Sequence, residues 1–164
     1  MNKNDKLSDA KLEMEPVNMY VLFARMFAHI MKQVEEKCGD EGIKAVREGV
    51  RQFGIERGEN VAKRAKTAGH DIDAMHYLSC YDMGRSDYFY SEDTVKEKTV
   101  EQVFTKCVFA ETFMKDGMEK YGIHYCEMID PAIAEGYNKC FKCTHDKHFF
   151  KDGQCHFIFE MEDK

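Results

Sequence analysis

The change from helical to extended patterning in this chain occurs in DYFYSEDTVKEKTVEQVFTKC, residues 87–107. Bulky and polar side chains alternate along this segment, which is typical of a strand with one buried face. Its β-branched residues, including Val95, Thr99, Val103 and Thr105, suit a pleated surface. The segment therefore predicts one or two strands that end at Cys107.

Upstream of this segment, apolar residues recur at three- and four-residue spacing. They predict a helix over residues 16–38 that stops near Gly39, and a second helix from Asp40 to about Gly69. Gly54 and Gly58 lie inside the second helix, where a glycine costs about 1 kcal/mol relative to alanine. They therefore indicate a kink, or a close approach to another backbone or a ligand. Residues 72–81 predict a shorter third helix.

Downstream of Cys107, helical spacing returns over residues 108–120 and 124–135, with Gly122 separating the two helices and Pro131 interrupting the second. Residues 140–161 predict a hairpin whose tight turn is Asp152-Gly153. Together these patterns predict an α+β fold: a helical N-terminal half packed on an antiparallel sheet from the C-terminal half, with a helical pair inserted between strands.

Composition limits the class of protein. The 164 residues are 43% hydrophobic with no composition shift, which predicts a single domain over residues 15–164 preceded by a disordered tail over residues 1–14. No apolar run has the length of a membrane span and the start is charged, so we expect a cytoplasmic protein with no membrane partner. The net charge of −6, with bases interspersed among acids, argues against nucleic acid. A small-molecule substrate is the expected partner, and a homo-oligomer stays open.

Seven cysteines without a secretory signal indicate reduced thiols available for catalysis, metal binding or packing. Cys107 lies where a strand passes into a helix, and a helix start can stabilise a thiolate there. Cys126 and Asp130 share a helix face, with His124 just upstream. That pair suits a nucleophile beside an acid-base group, or two metal ligands. Buried thiols that only fill space are the alternative for both cysteines.

The predicted hairpin places further groups in the interior. With Asp152-Gly153 as the turn, His148 faces Phe157 and points inward together with Asp146 and Cys155. A slip of one residue would place a different set inward: Phe149, His145 and Cys143. A core histidine with a satisfied hydrogen bond is the alternative to a functional one.

A zinc site is a second interpretation of the same region. Cys140, Cys143, His145, His148 and Cys155 are residue types that bind zinc, and CxxC is a spacing that metals use. Ligands on a regular strand project to opposite faces, however, so this site would need an irregular turn at Cys140–Cys143.

Several familiar motifs are missing, among them GxGxxG, GxxxxGK, HExxH and GxSxG. Nucleotide-dependent and serine-hydrolase mechanisms therefore lose most of their support. Arg57 and Arg85 are candidate anchors for a substrate carboxylate, because a guanidinium binds a carboxylate with two parallel hydrogen bonds. Solvated surface charges are the alternative for both arginines.

Five segments resemble the L-2-amino-thiazoline-4-carboxylic acid hydrolase family: LFARMFAHIMKQV, FGIERGENVAKRAK, the junction at Cys107, YGIHYCEMIDPAIAEGYN and GQCHFIF. The resemblance implies hydrolytic opening of a cyclic amino-thiazoline carboxylate on a route to cysteine. It points to Cys107, Cys126, Asp130, Cys155, and to Arg57 and Gly58 of FGIERG. The chain departs from the family in having CVF where a proline often follows the cysteine, in lacking tryptophan, and in carrying Cys140 and Cys143.

The ring carbon between nitrogen and sulfur in such a substrate is electrophilic, and the leaving atom must be protonated. We therefore expect Cys126 to be the nucleophile or a water-orienting group and Asp130 its acid-base partner. The other expected roles are support from Cys107 and His148, a carboxylate anchor at Arg57, and substrate contacts from His124 and Cys155. This interpretation requires no cofactor.

Two other classes remain at this stage. In a non-catalytic binding module, Cys107, Cys126 and Cys155 would bind a small molecule or an ion such as zinc or iron. In a structural subunit the same thiols would only be buried, and rapid alkylation of Cys126 in the native protein would argue against that.

Overall fold

The computed structural model describes residues 17–84 and 86–163, so the expected tail at residues 1–14 and Arg85 lie outside the described residues. The helices are α1 (Met19–Thr67), α2 (Ala74–Tyr77), α3 (Val108–Lys115), α4 (Glu119–Tyr137) and α5 (Phe149–Asp152), and a 3-10 turn, Leu78–Cys80, follows α2. The strands are β1 (Phe89–Val95), β2 (Thr99–Cys107), β3 (Phe141–Lys147) and β4 (Cys155–Met161). Among the described residues, none of these helices has the length and apolarity needed to cross a membrane.

The long helix α1 consists of two helices that meet at Gly39. Its backbone angles there are φ 57° and ψ −147°, which are not helical. A side chain is strained at this positive φ and glycine is not, so the helical pattern stops where the sequence predicts. The first segment starts at Asn18, whose side chain accepts a hydrogen bond of 2.7 Å from the Tyr20 amide. The second segment ends at Thr67, just before Gly69 with φ 78°.

The second segment of α1 and helix α4 approach each other closely enough for their backbones to touch. A Cβ atom added to Gly58 would lie 2.1 Å from the carbonyl oxygen of Ile133, and one added to Gly136 would lie 2.2 Å from that of Ile55. No side chain fits at those distances. We call this contact of Gly58 and Gly136 the glycine seam. It confirms the close approach that the glycines of FGIERG predict.

The four strands form one antiparallel sheet in the order β1-β2-β4-β3, and the helices cover one of its faces. Val100, Phe157 and Phe159 line the buried face. Tyr77 of α2 packs on that face, with its ring centroid 5.2 Å from that of Phe159. The α+β architecture predicted from the sequence is therefore confirmed.

The break between the two helices after Cys107 lies at Gly117, not at Gly122. Gly117 has φ 65°, and α4 starts two residues later. Gly122 lies within α4, where an added Cβ would be 2.3 Å from the Phe113 ring, so this glycine makes room for a core aromatic. Pro131 does not split the helix either, because α4 continues through it to Tyr137.

The predicted tight turn at Asp152-Gly153 is wrong. Gly153 does adopt a left-handed conformation, with φ 68°, but it ends the helical turn α5 and does not close a two-residue hairpin. The longer connection changes the register, so that His145 pairs with Phe157 while an irregularity follows it in β3. Asp146 therefore does not point inward: it is exposed and its carboxylate lies 2.7 Å from Nδ1 of His156.

Candidate functional site

Three thiols of the candidate site lie on β2, α4 and β4. Cys107 is the last residue of β2, Cys126 lies on α4, and Cys155 is the first residue of β4. Burial raises the pKa of Cys126 well above its usual value, and charge on Cys107 or Cys155 raises it further. Charges affect one another in this way only where little solvent separates them. The fold therefore brings together three cysteines that are distant in sequence.

Backbone amides at two helix starts face two of these sulfurs. Burial raises the pKa of Cys107 to about 11, and the N–H groups of Ala110 and Phe109 in the first turn of α3 oppose that rise. Burial also raises the pKa of Cys155 to about 12, opposed by the N–H of Phe149 in α5. In both cases burial raises the thiol pKa by more than the amides lower it. All three thiols are therefore neutral at neutral pH.

Asp130 lies one turn along α4 from Cys126, beside the three thiols. Burial raises the pKa of its carboxyl group from 3.8 to about 6, and the positive charge of Arg57 limits the rise. A carboxyl group with this pKa can take up or release a proton near neutral pH, as acid-base catalysis requires. The predicted Cys126 and Asp130 pair is thus joined by Cys107, Cys155 and Arg57.

The guanidinium of Arg57 is held by Asp82. Its Nε donates to one carboxylate oxygen at 2.9 Å and its Nη2 to the other at 2.6 Å. Both side chains are largely buried, with 13% and 14% exposure. The guanidinium carbon also lies 5.5 Å from the centre of the Tyr81 ring. These contacts fix the guanidinium in position and leave Nη1 outside the paired edge.

Three tyrosines that the sequence interpretation did not single out lie within the electrostatic reach of Asp130. Burial raises the pKa of Tyr77, Tyr81 and Tyr125, and in each case Asp130 adds to the rise. Tyr77 and Tyr81 are four residues apart, and that spacing within the predicted third helix was the available signal.

His124 points away from this cluster. Its Nδ1 lies 3.2 Å from Nη1 of Arg47, and the same guanidinium nitrogen donates to Glu127 at 2.7 Å. Burial and the positive charge of Arg47 lower the pKa of His124. The fold thus places His124 in an ion cluster between α1 and α4.

His148 does not face Phe157, as the predicted turn requires. It precedes α5, and its ring centroid lies 3.7 Å from that of His145. His145 instead occupies the inward position and stacks on Phe157 at 4.1 Å. The register differs from the predicted one by three residues, and this odd shift, like the one-residue slip considered from the sequence, places His145 and Cys143 inward. Neither ring nitrogen of His145 has a hydrogen-bond partner among the described residues.

The metal interpretations find no matching geometry in the part of the chain that the structure describes. No three His, Cys, Asp or Glu side chains within residues 17–84 and 86–163 are grouped so that they could hold a metal ion. The predicted zinc residues Cys140, Cys143, His145, His148 and Cys155 therefore form no such group. Cys107, Cys126 and Cys155 form none either.

Comparison with known proteins gives one positive result. No curated protein and no solved structure matches the chain. A family model described as L-2-amino-thiazoline-4-carboxylic acid hydrolase matches residues 19–159, a range that contains the three thiols, Asp130, Arg57 and Tyr77. The match supports a hydrolase-type function. Because it covers most of the chain, the protein belongs to the L-2-amino-thiazoline-4-carboxylic acid hydrolase family.

Proposed function

We propose that this protein hydrolyses a C–N bond in a small cyclic amidine that carries a carboxylate, such as a 2-amino-thiazoline-4-carboxylate. The observation that carries the proposal is the half-buried Asp130, whose pKa of about 6 lies close to neutral pH, near three neutral thiols and a fixed guanidinium. A hydrolytic site needs a group that accepts a proton from water and then returns it. Asp130 has the environment for both steps.

The reaction starts with Asp130 ionised. Its carboxylate takes a proton from water while the water oxygen bonds to the ring carbon between nitrogen and sulfur. Asp130 passes this proton to the ring nitrogen of the tetrahedral centre. The centre then collapses: Asp130 takes the hydroxyl proton as the C=O bond forms and gives it to the departing nitrogen as the ring C–N bond breaks. The sulfur keeps its bond to the carbon. One water is consumed, and the product is an open-chain thiocarbamate with a free amine.

Cys126 acts in this scheme as a water-orienting group. A thiolate nucleophile would have to lose its proton in a site where burial raises the thiol pKa well above the usual value. A neutral S–H beside Asp130 avoids that cost, and it can still contact the water. In this scheme Cys107 and Cys155 support the same site, and Arg57 binds the substrate carboxylate. His124 and His148 lie in other clusters, so no step is assigned to them.

The test is turnover of 2-amino-thiazoline-4-carboxylate by wild type and by Asp130→Asn, followed as release of the free amine. We expect Asp130→Asn to lower kcat by about 10²–10⁴-fold, the usual contribution of a positioned acid-base group. Asp116→Asn is the matched control, because Asp116 pairs with Arg25 outside the site and its loss should leave kcat unchanged. Full turnover by Asp130→Asn would overturn the proposal.

Cys126→Ser separates the two roles of the thiol. A hydroxyl can orient water, so we expect the variant to keep kcat within about tenfold of wild type, and we expect wild type to form no covalent adduct during turnover. Mass spectrometry of the acid-quenched enzyme is the direct measurement. A trapped adduct on Cys126 would show that the thiol is the nucleophile and that Asp130 serves it as a base.

A further inference from the structure

The hydroxyl of Tyr77 is a buried polar group without a partner. Tyr77 is 0% exposed, and its oxygen makes no hydrogen bond with any described residue. Nearly all buried hydroxyls in proteins are hydrogen-bonded, because leaving one unpaired costs free energy. An unpaired hydroxyl next to a candidate active site therefore indicates a group that pairs with a ligand.

The ring of Tyr77 cannot turn to find another partner. Its centroid lies 5.0 Å from that of Phe141, 5.1 Å from Tyr137, 5.2 Å from Phe159 and 5.5 Å from Tyr81, so aromatic rings surround it. Close packing of this kind fixes the orientation of a side chain. The hydroxyl is therefore held in one place.

That place adjoins the candidate site. Burial raises the pKa of Tyr77, Asp130 raises it further, and the charge of Arg57 lowers it. The contacts agree, since Tyr77 packs on Tyr81 and Tyr81 lies under the guanidinium of Arg57. Tyr77 is thus separated from the guanidinium of Arg57 by one ring, that of Tyr81.

The site has two chemically different ends. Asp130, when ionised, only accepts hydrogen bonds and so suits the N–H groups of an amidine. Arg57 only donates hydrogen bonds, and its Nη1 is outside the edge that Asp82 occupies. The phenol of Tyr77, one ring away from that guanidinium, is a second donor. Two donors at one end suit a carboxylate.

We propose that the hydroxyl of Tyr77 donates a hydrogen bond to the carboxylate of the substrate, next to Arg57. This inference rests on the proposed function and adds a substrate-binding residue to it. Tyr77 binds and positions the ring and takes no part in proton transfer. Its loss should therefore weaken binding of carboxylated rings more than it slows their opening.

The experiment compares Tyr77→Phe with Tyr137→Phe. Tyr77→Phe keeps the packed ring and removes only the unpaired hydroxyl, so we expect KM for 2-amino-thiazoline-4-carboxylate to rise about 10- to 100-fold, as for a lost hydrogen bond to a charged group. We expect kcat to change less than about threefold, and Tm to stay level or rise. Tyr137→Phe is the control: its hydroxyl donates to the Asp73 carbonyl at 2.9 Å, so Tm should fall while KM stays unchanged.

A second ring identifies the group that Tyr77 binds. For 2-amino-thiazoline, which lacks the carboxylate, wild type and Tyr77→Phe should have equal KM values. An equal rise in KM for both rings, no rise for either, or a fall in Tm as large as that of Tyr137→Phe would each overturn the inference.

Calorimetric binding of the carboxylated ring separates this inference from the proposed function. If wild type opens no ring but binds the carboxylated one, and Tyr77→Phe binds it about 10- to 100-fold more weakly, the proposed hydrolysis fails and the role of Tyr77 is supported. If wild type turns the ring over and Tyr77→Phe has an unchanged KM, only the inference fails. Wild type that neither binds nor opens the ring would overturn both.

Discussion

Asp130 destabilises the fold when it is ionised. Its pKa is about 6 in the folded protein and near 3.8 when free, so the folded state holds the proton more tightly. The stability contributed by this group is fully present below pH 3.8, and it is lost as pH rises through about 6. At neutral pH the ionised carboxylate costs on the order of 3 kcal/mol, because each pKa unit corresponds to about 1.4 kcal/mol.

Replacing this carboxyl group should therefore stabilise the protein above pH 6. We expect the free energy of unfolding of Asp130→Asn to exceed that of wild type at pH 7.5, and the difference to shrink as pH falls below 6. Urea denaturation of both proteins at several pH values measures it. A variant that is less stable than wild type at pH 7.5 would show that the carboxylate has a stabilising partner in the fold.

His145 gives the opposite dependence on pH. Burial lowers its pKa from 6.5 to about 4, so the folded protein favours the neutral ring. Its contribution to stability is present above pH 6.5 and is lost as pH falls through about 4. His145→Phe keeps a ring stacked on Phe157. As pH falls from 6.5 to about 4, we expect its free energy of unfolding to decrease less than that of wild type. His29→Phe, at an exposed position of α1, is the control and should follow wild type.

Sequence reasoning predicted one part of the candidate site and missed another for a physical reason. Cys126 and Asp130 are four residues apart, and helical spacing alone places them on one face. The convergence of Cys107 and Cys155 on them depends on strand pairing between distant segments, which spacing does not encode. Tyr77 was missed because the sequence does not show whether the hydroxyl of a tyrosine has a hydrogen-bond partner.

At the scale of elements, the glycine seam predicts contrasting effects for two glycines of α1. Gly58→Ala would push a methyl group into the carbonyl of Ile133, 2.1 Å away, and separate the two helices. We expect a loss of about 1–3 kcal/mol, the usual cost of overpacking a core. Gly49→Ala has nothing within 4 Å of its added Cβ and should stabilise the helix by up to about 1 kcal/mol. Denaturant titration of both variants measures the difference, and equal stabilities would contradict the seam.

The elements show where sequence patterns suffice. The breaks at Gly39 and Gly69 were predicted because glycines there end clear helical periods. The hairpin turn was not, because Asp152-Gly153 specifies only that one residue adopts a left-handed conformation. A two-residue turn and the end of a helical turn both satisfy that condition. The choice between them moves the partner of Phe157 from His148 to His145, three residues along the chain, and an odd shift exchanges the side chains that point inward.

At the scale of the whole molecule, burial predicts an order of cysteine reactivity. Cys38 is exposed, whereas the Cys126 thiol lies among the buried groups of the site and has a raised pKa. Iodoacetamide should therefore label Cys38 first, and label Cys126 only when the site opens. Saturating 2-amino-thiazoline-4-carboxylate should slow the labelling of Cys126 and leave Cys38 unaffected. A mass-spectrometric time course gives both rates, and equal rates in the free protein would show that the site is open to solvent.

The glycine seam also bears on the pH optimum of the enzyme. Arg57 adjoins Gly58 on one helix, Asp130 lies on the other, and the guanidinium lowers the carboxyl pKa. The spacing of two backbones therefore helps to set the acidity of a group that neither glycine touches. Family members with larger residues at the seam should hold the guanidinium farther from the carboxyl group. The carboxyl pKa should then be higher, so we expect these proteins to work best at higher pH. We therefore expect the pKa of Asp130 to depend on residues that do not contact the substrate.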